Sequence, residues 1–275
     1  MGKLVFGTAG IPKSAPGRTT IDAIARIPHL NLGALEIEFV EGVRMSAETA
    51  VTVAAAARRH RVKLSAHAPF YINLNSLDPQ KIKASQDRIL ATARIAAICG
   101  AHSIIFHAGF YMGKKPAEAY RNIKAKLEEV IYQLRVENNP VLLRPEVTGK
   151  ASQFGSIDEV IGLSAEIDGV APCIDFSHCH SRTGAYNTFE EFSFILQKIR
   201  KNLGQTALDN LHGHAAGIAY NDKGERHHLS LEDSDFDYQA LLRALKENGA
   251  GGTIICESPD TEQDAILLAA TYDKV

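Results

Sequence analysis

The sequence has no tryptophan, no long hydrophobic run and no excess of basic residues. Its apolar segments fall far short of the ~20 residues that a membrane-spanning helix needs. Its first 15 residues, MGKLVFGTAGIPKSA, lack the apolar core of a signal peptide. Lys and Arg number 30 against 32 for Asp and Glu, which gives a net charge of −2. We therefore expect no membrane partner, and a nucleic-acid partner has to be inferred from a local site rather than from composition.

Cysteine is also scarce. The four cysteines show no C-x-x-C pair, which argues against a disulfide scaffold and a cysteine-based zinc module. We expect a reduced, cytoplasmic and monomeric protein. Hydrophobic residues make up 45% and charged residues 23% of the chain, so a sizeable core can form.

Short apolar runs alternate with longer amphipathic segments along the whole chain. The runs predict eight strands, at 4–10, 32–40, 63–70, 102–109, 141–149, 170–178, 209–217 and 253–258. Helices are predicted at 46–60, 79–98, 116–136, 188–200 and 235–248, and more weakly at 19–28, 156–166 and 259–272. Eight strand-then-helix units predict the α/β class, with residues 1–275 as a single (β/α)8 TIM barrel. An open doubly wound sheet is the alternative, but no G-x-G-x-x-G follows a predicted strand.

Polar residues gather where the predicted strands end. In a parallel barrel these ends meet at one mouth, where active sites lie. The candidates for metal ligands are His67, His107, Glu146, Asp175, His178, His212, His214, Glu225, His227, His228 and Glu257. Ionised carboxylates gathered in one small volume repel each other and are costly to bury, so bound cations are the simplest compensation. Imidazole and carboxylate ligands suit Zn2+, Mn2+ or Fe2+.

Side-chain alternation indicates which of these residues face the barrel lumen. Residues two apart on a strand share a face, so His212 and His214 can both point inward, as can Glu36 and Glu38. His178 follows Asp175 by three residues, so we expect it to reach the site from a loop.

Six short motifs resemble the endonuclease IV family of apurinic/apyrimidinic endonucleases. In chain order they are HAPFYINL from residue 67, HAG from 107, LLRPEVTGKASQFG from 142, CIDFSHCH from 173, GERHH from 224 and ICESP from 255. Each motif alone is weak, whereas their shared order and intervals extend over essentially the whole chain.

The resemblance implies a (β/α)8 enzyme with about three Zn2+ per chain, with Mn2+ or Fe2+ as alternatives at some positions. One metal ion would be held by His67, His107 and Glu146, and a second by Glu146, Asp175, a strand-7 histidine and Glu257. The third would be held by His178, Glu225 and one histidine of the pair 227–228.

Two ligand choices stay open in this comparison. The interval to Glu225 fits the family better from His212 than from His214. The family's D-x-H spacing favours His227, although His228 remains possible because glutamate is longer than aspartate.

The activity implied by the resemblance is hydrolysis of the phosphodiester 5′ to an abasic site in double-stranded DNA, a step of base excision repair. Metal ions suit an in-line displacement because they stabilise both the attacking and the leaving oxygen. By the resemblance, the catalytic residues Glu257 or Glu146 orient the attacking water. Arg44, Phe70 and Tyr71 are candidates for binding the substrate around a flipped nucleotide, and loop packing is an equally good interpretation of them.

A divalent-metal-dependent sugar isomerase or epimerase of the xylose-isomerase-like barrels is the alternative. It shares only Glu146, Asp175, a strand-7 histidine and Glu257 with the pattern. The remaining candidate ligands favour the nuclease, whereas the acidic loop EFVEGVRMSAE after strand 2 is unlike a DNA-binding loop.

Overall fold

The computed structural model describes residues 2–275. Its strands are β1 (Leu4–Ala9), β2 (Ala34–Glu38), β3 (Lys63–His67), β4 (Ser103–Phe106), β5 (Gly109–Phe110), β6 (Leu142–Pro145), β7 (Gln153–Phe154), β8 (Cys173–Asp175), β9 (Leu211–Ala215), β10 (Gly217–Asn221), β11 (Gly224–Leu229) and β12 (Gly252–Cys256). Its α-helices are α1 (Thr20–Arg26), α2 (Ala47–His60), α3 (Pro79–Cys99), α4 (Pro116–Val136), α5 (Ile157–Glu166), α6 (Phe176–Thr183), α7 (Phe189–Leu203), α8 (Gln205–Asp209), α9 (Tyr238–Glu247) and α10 (Thr261–Lys274), and a 3-10 helix spans Ile27–Leu30.

Eight of the strands form one parallel sheet in the order β6-β4-β3-β2-β1-β12-β9-β8. Bridges between Leu143 and Val170 and between Glu146 and Cys173 join the two outer strands. Backbone hydrogen bonds cross this seam from Leu143 to Gly169, from Ala171 to Leu143 and from Val147 to Cys173, so the sheet forms a nearly closed barrel. The predicted (β/α)8 barrel is therefore confirmed.

The helices cover the barrel with apolar faces at helical spacing. Helix α7 shows the pattern clearly, because Phe192, Ile195, Leu196 and Ile199 are all fully buried. Hydroxyl side chains at Ser46 and Ser156 cap α2 and α5, as expected of residues that precede apolar-periodic segments. Within residues 2–275 no helix is both long and apolar enough to cross a bilayer.

Two connections differ from the sequence-based expectation. The predicted strand 170–178 ends at Asp175, whose side chain accepts the backbone N–H of His178 at 2.6 Å and so caps α6. The prediction that His178 lies in a loop is therefore wrong, because it lies in the first turn of a helix. The residues after β9 form an antiparallel hairpin of β10 and β11 instead of an irregular loop.

We predict that Gly252→Ala strongly destabilises the barrel. Gly252 lies in β12 with φ at +106°, and an added Cβ would lie 2.0 Å from the carbonyl oxygen of Leu211. Backbone strain and overpacking each cost about 1–3 kcal/mol. Gly184→Ala is the matched control, since Gly184 has φ at +70° and open space around its Cβ position. Urea unfolding should give a loss of about 1–2 kcal/mol for the control and a distinctly larger loss for Gly252→Ala; equal losses would contradict the packing argument.

Candidate metal centre

The carboxylate of Glu146 lies at the centre of the barrel mouth, between four imidazoles. Its Oε2 is 2.9 Å from Nε2 of His107 and 3.2 Å from Nε2 of His67. Its Oε1 is 3.1 Å from Nδ1 of His214 and 3.4 Å from Nδ1 of His178. Each oxygen therefore faces a different pair of imidazoles, an arrangement that would suit a carboxylate bridging two metal ions.

The backbone fixes Glu146 in this position. It directly follows β6, its N–H donates to the carbonyl of Phe106, and it bridges to Cys173 across the barrel closure. The residue is 1% exposed, so its charge has to be compensated by its neighbours.

Three groups of side chains at the mouth have ligand atoms close enough to share one cation. They are His67 with His107 and Glu146; Glu146 with Asp175, His214 and Glu257; and Asp175 with His178 and His228. Within each group the ligand atoms lie within 4.8 Å of one another. The structure thus brings together residues that lie far apart in the sequence, from the ends of different strands.

Backbone carbonyls fix the orientation of three of the histidines. Nδ1–H of His67 donates to the carbonyl of Ala68 at 2.8 Å, and Nδ1–H of His228 donates to that of Glu257 at 3.0 Å. His178 donates in the same way to Val147 at 3.1 Å. Each ring therefore presents its Nε2 to the mouth, and loss of the proton from this atom would give the form in which imidazole binds metals.

Asp175 offers an oxygen that has no hydrogen bond. Oδ1 caps α6, while Oδ2 is buried and lies 3.1 Å from Nδ1 of His178, with no hydrogen-bond partner. Unsatisfied buried carboxylate oxygens are costly, and a cation satisfies them. The donor set of nitrogen and carboxylate oxygen fits zinc, manganese or iron.

His214, not His212, belongs to the carboxylate group at the mouth. His214 Nδ1 lies 3.1 Å from Glu146 and 3.3 Å from Glu257, whereas His212 Nε2 lies 2.9 Å from Glu36, one layer deeper in the lumen. The geometry thus reverses the preference drawn from the sequence interval. Both histidines point inward as alternation predicts, but only the later one reaches the strand ends.

The third group contains His228 rather than His227. Nε2 of His228 lies 3.4 Å from Nε2 of His178, and Oε2 of Glu225 lies 3.5 Å from the same His178 atom. His227 is exposed. The hairpin pairing shifts register between Ala219 and Tyr220, and this β-bulge brings side chains three residues apart to one face. The spacing argument for His227 fails because it assumes regular alternation.

The buried charges strongly perturb the pKa values of these groups. Burial alone would raise the pKa of Glu146, but the neighbouring His107 and His214 hold it well below the ordinary value. Burial would lower the pKa of His67 and His178, yet Glu146 and Glu38 raise that of His67 to about 10, and Asp175 and Glu146 raise that of His178 to about 10. Protons on these imidazoles offset the carboxylate charges, so cation binding displaces protons and becomes tighter as the pH rises.

The three candidate substrate-binding residues lie on loops and are exposed. Phe70 and Tyr71 follow β3, are 53% and 57% exposed, and have ring centroids 4.1 Å apart. The Arg44 side chain is 80% exposed and lies 3.4 Å from the carboxylate of Glu41.

Sequence reasoning assigned no function to a second set of buried polar residues. Glu36 and Ser65 lie one layer below the mouth, and Ser65 Oγ donates to Glu36 at 2.6 Å. Oε1 of Glu38 is buried without a partner, and burial raises the pKa of this carboxyl to about 8. The alternation of side chains along β2 was the sequence signal that Glu36 and Glu38 point into the lumen.

We predict that His214→Ala removes one bound metal ion per chain and that His212→Gln removes none. Of these two histidines, only His214 contacts the carboxylates at the mouth, and a glutamine at position 212 can still donate to Glu36. Elemental analysis of gently purified, folded protein measures the difference. Equal metal loss in the two variants would contradict the placement of His214 at the mouth and of His212 deeper in the lumen.

We predict that Glu146→Ala loses at least two metal ions together, because each of its oxygens faces a different group of histidines. Glu225→Ala, which affects only the third group, is the comparison and should lose one ion. A loss of a single ion from Glu146→Ala, measured by the same method on folded protein, would exclude the bridging role.

Comparisons with known proteins identify the family of this chain. Residues 24–271 match the family model described as xylose isomerase-like TIM barrel. The chain is 42% identical to an uncharacterized protein of Methanocaldococcus jannaschii, over 99% of this chain and 98% of that one. It is 25% identical to a probable endonuclease 4 of Mycoplasma genitalium, over 72% of this chain and 67% of that one.

Two solved structures show the same fold at low sequence identity. Endonuclease IV from Thermus thermophilus superposes with a TM-score of 0.77 at 17% identity, covering 98% of this chain and 100% of that one. A D-tagatose 3-epimerase-like protein gives a TM-score of 0.73 at 18% identity, covering 98% and 96%. The similarity to endonuclease IV indicated by the motifs is confirmed, and this chain belongs to the xylose isomerase-like TIM barrel family.

Proposed function

We propose that this chain is a zinc-dependent endonuclease that hydrolyses the phosphodiester 5′ to an abasic site in double-stranded DNA. One observation supports this over other activities of the fold. Beside the set Glu146, Asp175, His214 and Glu257, the mouth holds two further histidine groups, one on each side. A single-metal site has no use for either group, whereas a phosphodiester displacement uses cations on both the attacking and the leaving side.

The metal ligands divide into buried and accessible members. Glu146, Asp175 and His214 are at most 1% exposed and serve to fix the cations. The side chains of Glu257 and His107 are 14% and 28% exposed, so they border the space that a substrate enters.

Bound divalent ions would supply positive charge to the phosphate oxygens and lower the pKa of an attacking water. The protein's own contribution is orientation. Glu257 lies at the end of β12 with Oε1 3.3 Å from His214, so its second oxygen is available to accept a proton from water and to aim it. Glu146 serves the same purpose where its lone pairs are not taken by cations.

Phe70 and Tyr71 fit the task of holding a distorted duplex. An enzyme that acts on an abasic nucleotide has to draw it out of the stack and fill the gap with apolar groups. These two rings are exposed, in contact with each other and three and four residues beyond the ligand His67. Arg44 is free to contact a backbone phosphate if its weak, exposed pairing with Glu41 opens.

A sugar epimerase is the second candidate, because the buried, unpartnered Oε1 of Glu38 suits a hydroxyl group better than a phosphate. Glu38 lies near Glu257 and His67, and burial raises the pKa of its carboxyl to about 8, so it is mostly protonated at neutral pH and can donate a hydrogen bond to a sugar oxygen. The four-residue set at the mouth serves either chemistry.

We predict that metal-replete protein nicks a duplex containing one tetrahydrofuran abasic analogue on its 5′ side, without added magnesium. Glu257→Gln should keep its metal and lose at least 100-fold in rate, because the amide cannot accept the proton. The products are resolved on a sequencing gel, with an undamaged duplex as the control substrate. An intact abasic duplex at high concentrations of metal-replete protein, together with epimerisation of a ketose by the same sample, would establish the second candidate instead.

A further inference from the structure

Below the metal centre the barrel lumen contains a second polar layer made of Glu36, Ser65 and His212. All three side chains are buried, with Glu36 and His212 fully so. Ser65 Oγ and Nε2 of His212 contact the same Glu36 oxygen, Oε2, at 2.6 and 2.9 Å. The other oxygen, Oε1, has no hydrogen bond from either of them.

That remaining oxygen faces His214. Oε1 of Glu36 lies 3.0 Å from Nε2 of His214, within ion-pair distance, and neither atom has a hydrogen-bond partner of good geometry. The opposite nitrogen, Nδ1, lies 3.1 Å from Glu146 and 3.3 Å from Glu257. His214 therefore lies between the two layers: its Nε2 faces Glu36 in the lower layer, and its Nδ1 faces the carboxylates at the mouth.

The lower layer itself does not suit a cation. Cys173, His212 and His214 have ligand atoms within 4.8 Å of one another. However, Nε2 of His212 is already engaged by Oε2 of Glu36 at 2.9 Å. The guanidinium of Arg144 is buried close to His212 and donates to the carbonyls of Pro172 and Asn210. This buried positive charge repels a further cation, which favours a role for the layer other than binding metal.

We propose that Glu36 is a positioning residue for the metal ligand His214. Its carboxylate accepts the Nε2–H of His214 and thereby leaves the lone pair of Nδ1 directed at Glu146, Asp175 and Glu257. Ser65 and His212 hold Oε2 from the other side, so that the carboxylate cannot rotate away. The inference depends on the metal centre of the proposed function and not on the substrate.

A carboxylate behind a metal-bound histidine fixes the tautomer and raises the basicity of the imidazole. Loss of such a partner typically weakens metal affinity by about 10–100-fold. Glu36→Gln keeps the size and one oxygen acceptor but removes the charge, and Ser65→Ala loosens the carboxylate without removing it. The expected effect is therefore larger for Glu36→Gln than for Ser65→Ala.

The test is a chelator titration of cobalt-loaded protein, followed by visible absorption, in four forms: wild type, Glu36→Gln, His214→Ala and the double variant. Glu36→Gln should release one cobalt equivalent at about 10–100-fold lower chelator concentration, and the remaining equivalents should be unchanged. In the His214→Ala background the same substitution should cause no further shift, because the two residues act as one unit.

A shift of equal size with and without His214 would overturn the proposal, as would an unchanged titration of folded Glu36→Gln. Circular dichroism of each metal-free variant verifies folding, and a purely structural role would lower its unfolding free energy without changing cobalt affinity. The readout is independent of DNA cleavage. A failed nicking assay together with a shifted titration would refute the nuclease activity alone, whereas cleavage together with an unshifted titration would refute only the role of Glu36.

Discussion

The compensation of buried negative charge determines the arrangement of this barrel mouth. Glu146 and Asp175 are each 1% exposed, and Glu36 is fully buried. Such carboxylates are tolerated only with cationic or hydrogen-bonding partners. In the protein alone the partners are imidazoles, several of them with raised pKa values. Metal ions would take the place of these protons at the same positions, so folding and metal binding depend on the same contacts.

Much of the architecture was predictable from the sequence, and the errors have specific causes. Apolar runs marked the barrel strands, and the polar residues at their ends gathered as parallel topology requires. Alternation could not show that His214 rather than His212 reaches the mouth, because the depth of a strand in a barrel depends on its register with its neighbours. The bulge that selects His228 and the cap by which Asp175 begins α6 depend on local backbone geometry that no residue spacing reveals.

The fold leaves the choice of substrate open, because nucleases and epimerases share it. Structures at 17% and 18% identity establish architecture only. Side chains outside the shared four-residue set distinguish the two functions. The two flanking histidine groups favour a nuclease, and Glu38 favours an epimerase. His67, His107, His178 and His228 converge on the mouth with backbone contacts or Glu146 fixing their orientation, whereas Glu38 contributes a single unpaired oxygen.

X-ray diffraction data collected at the zinc absorption edge from crystals of the gently purified protein test the central claim most directly. We expect about three anomalous peaks per chain at the mouth, as the resemblance to endonuclease IV implies, with Glu146 between two of them and the third beside His178 and His228. One peak, confined to Glu146, Asp175, His214 and Glu257 with both flanking histidine groups metal-free, would contradict it.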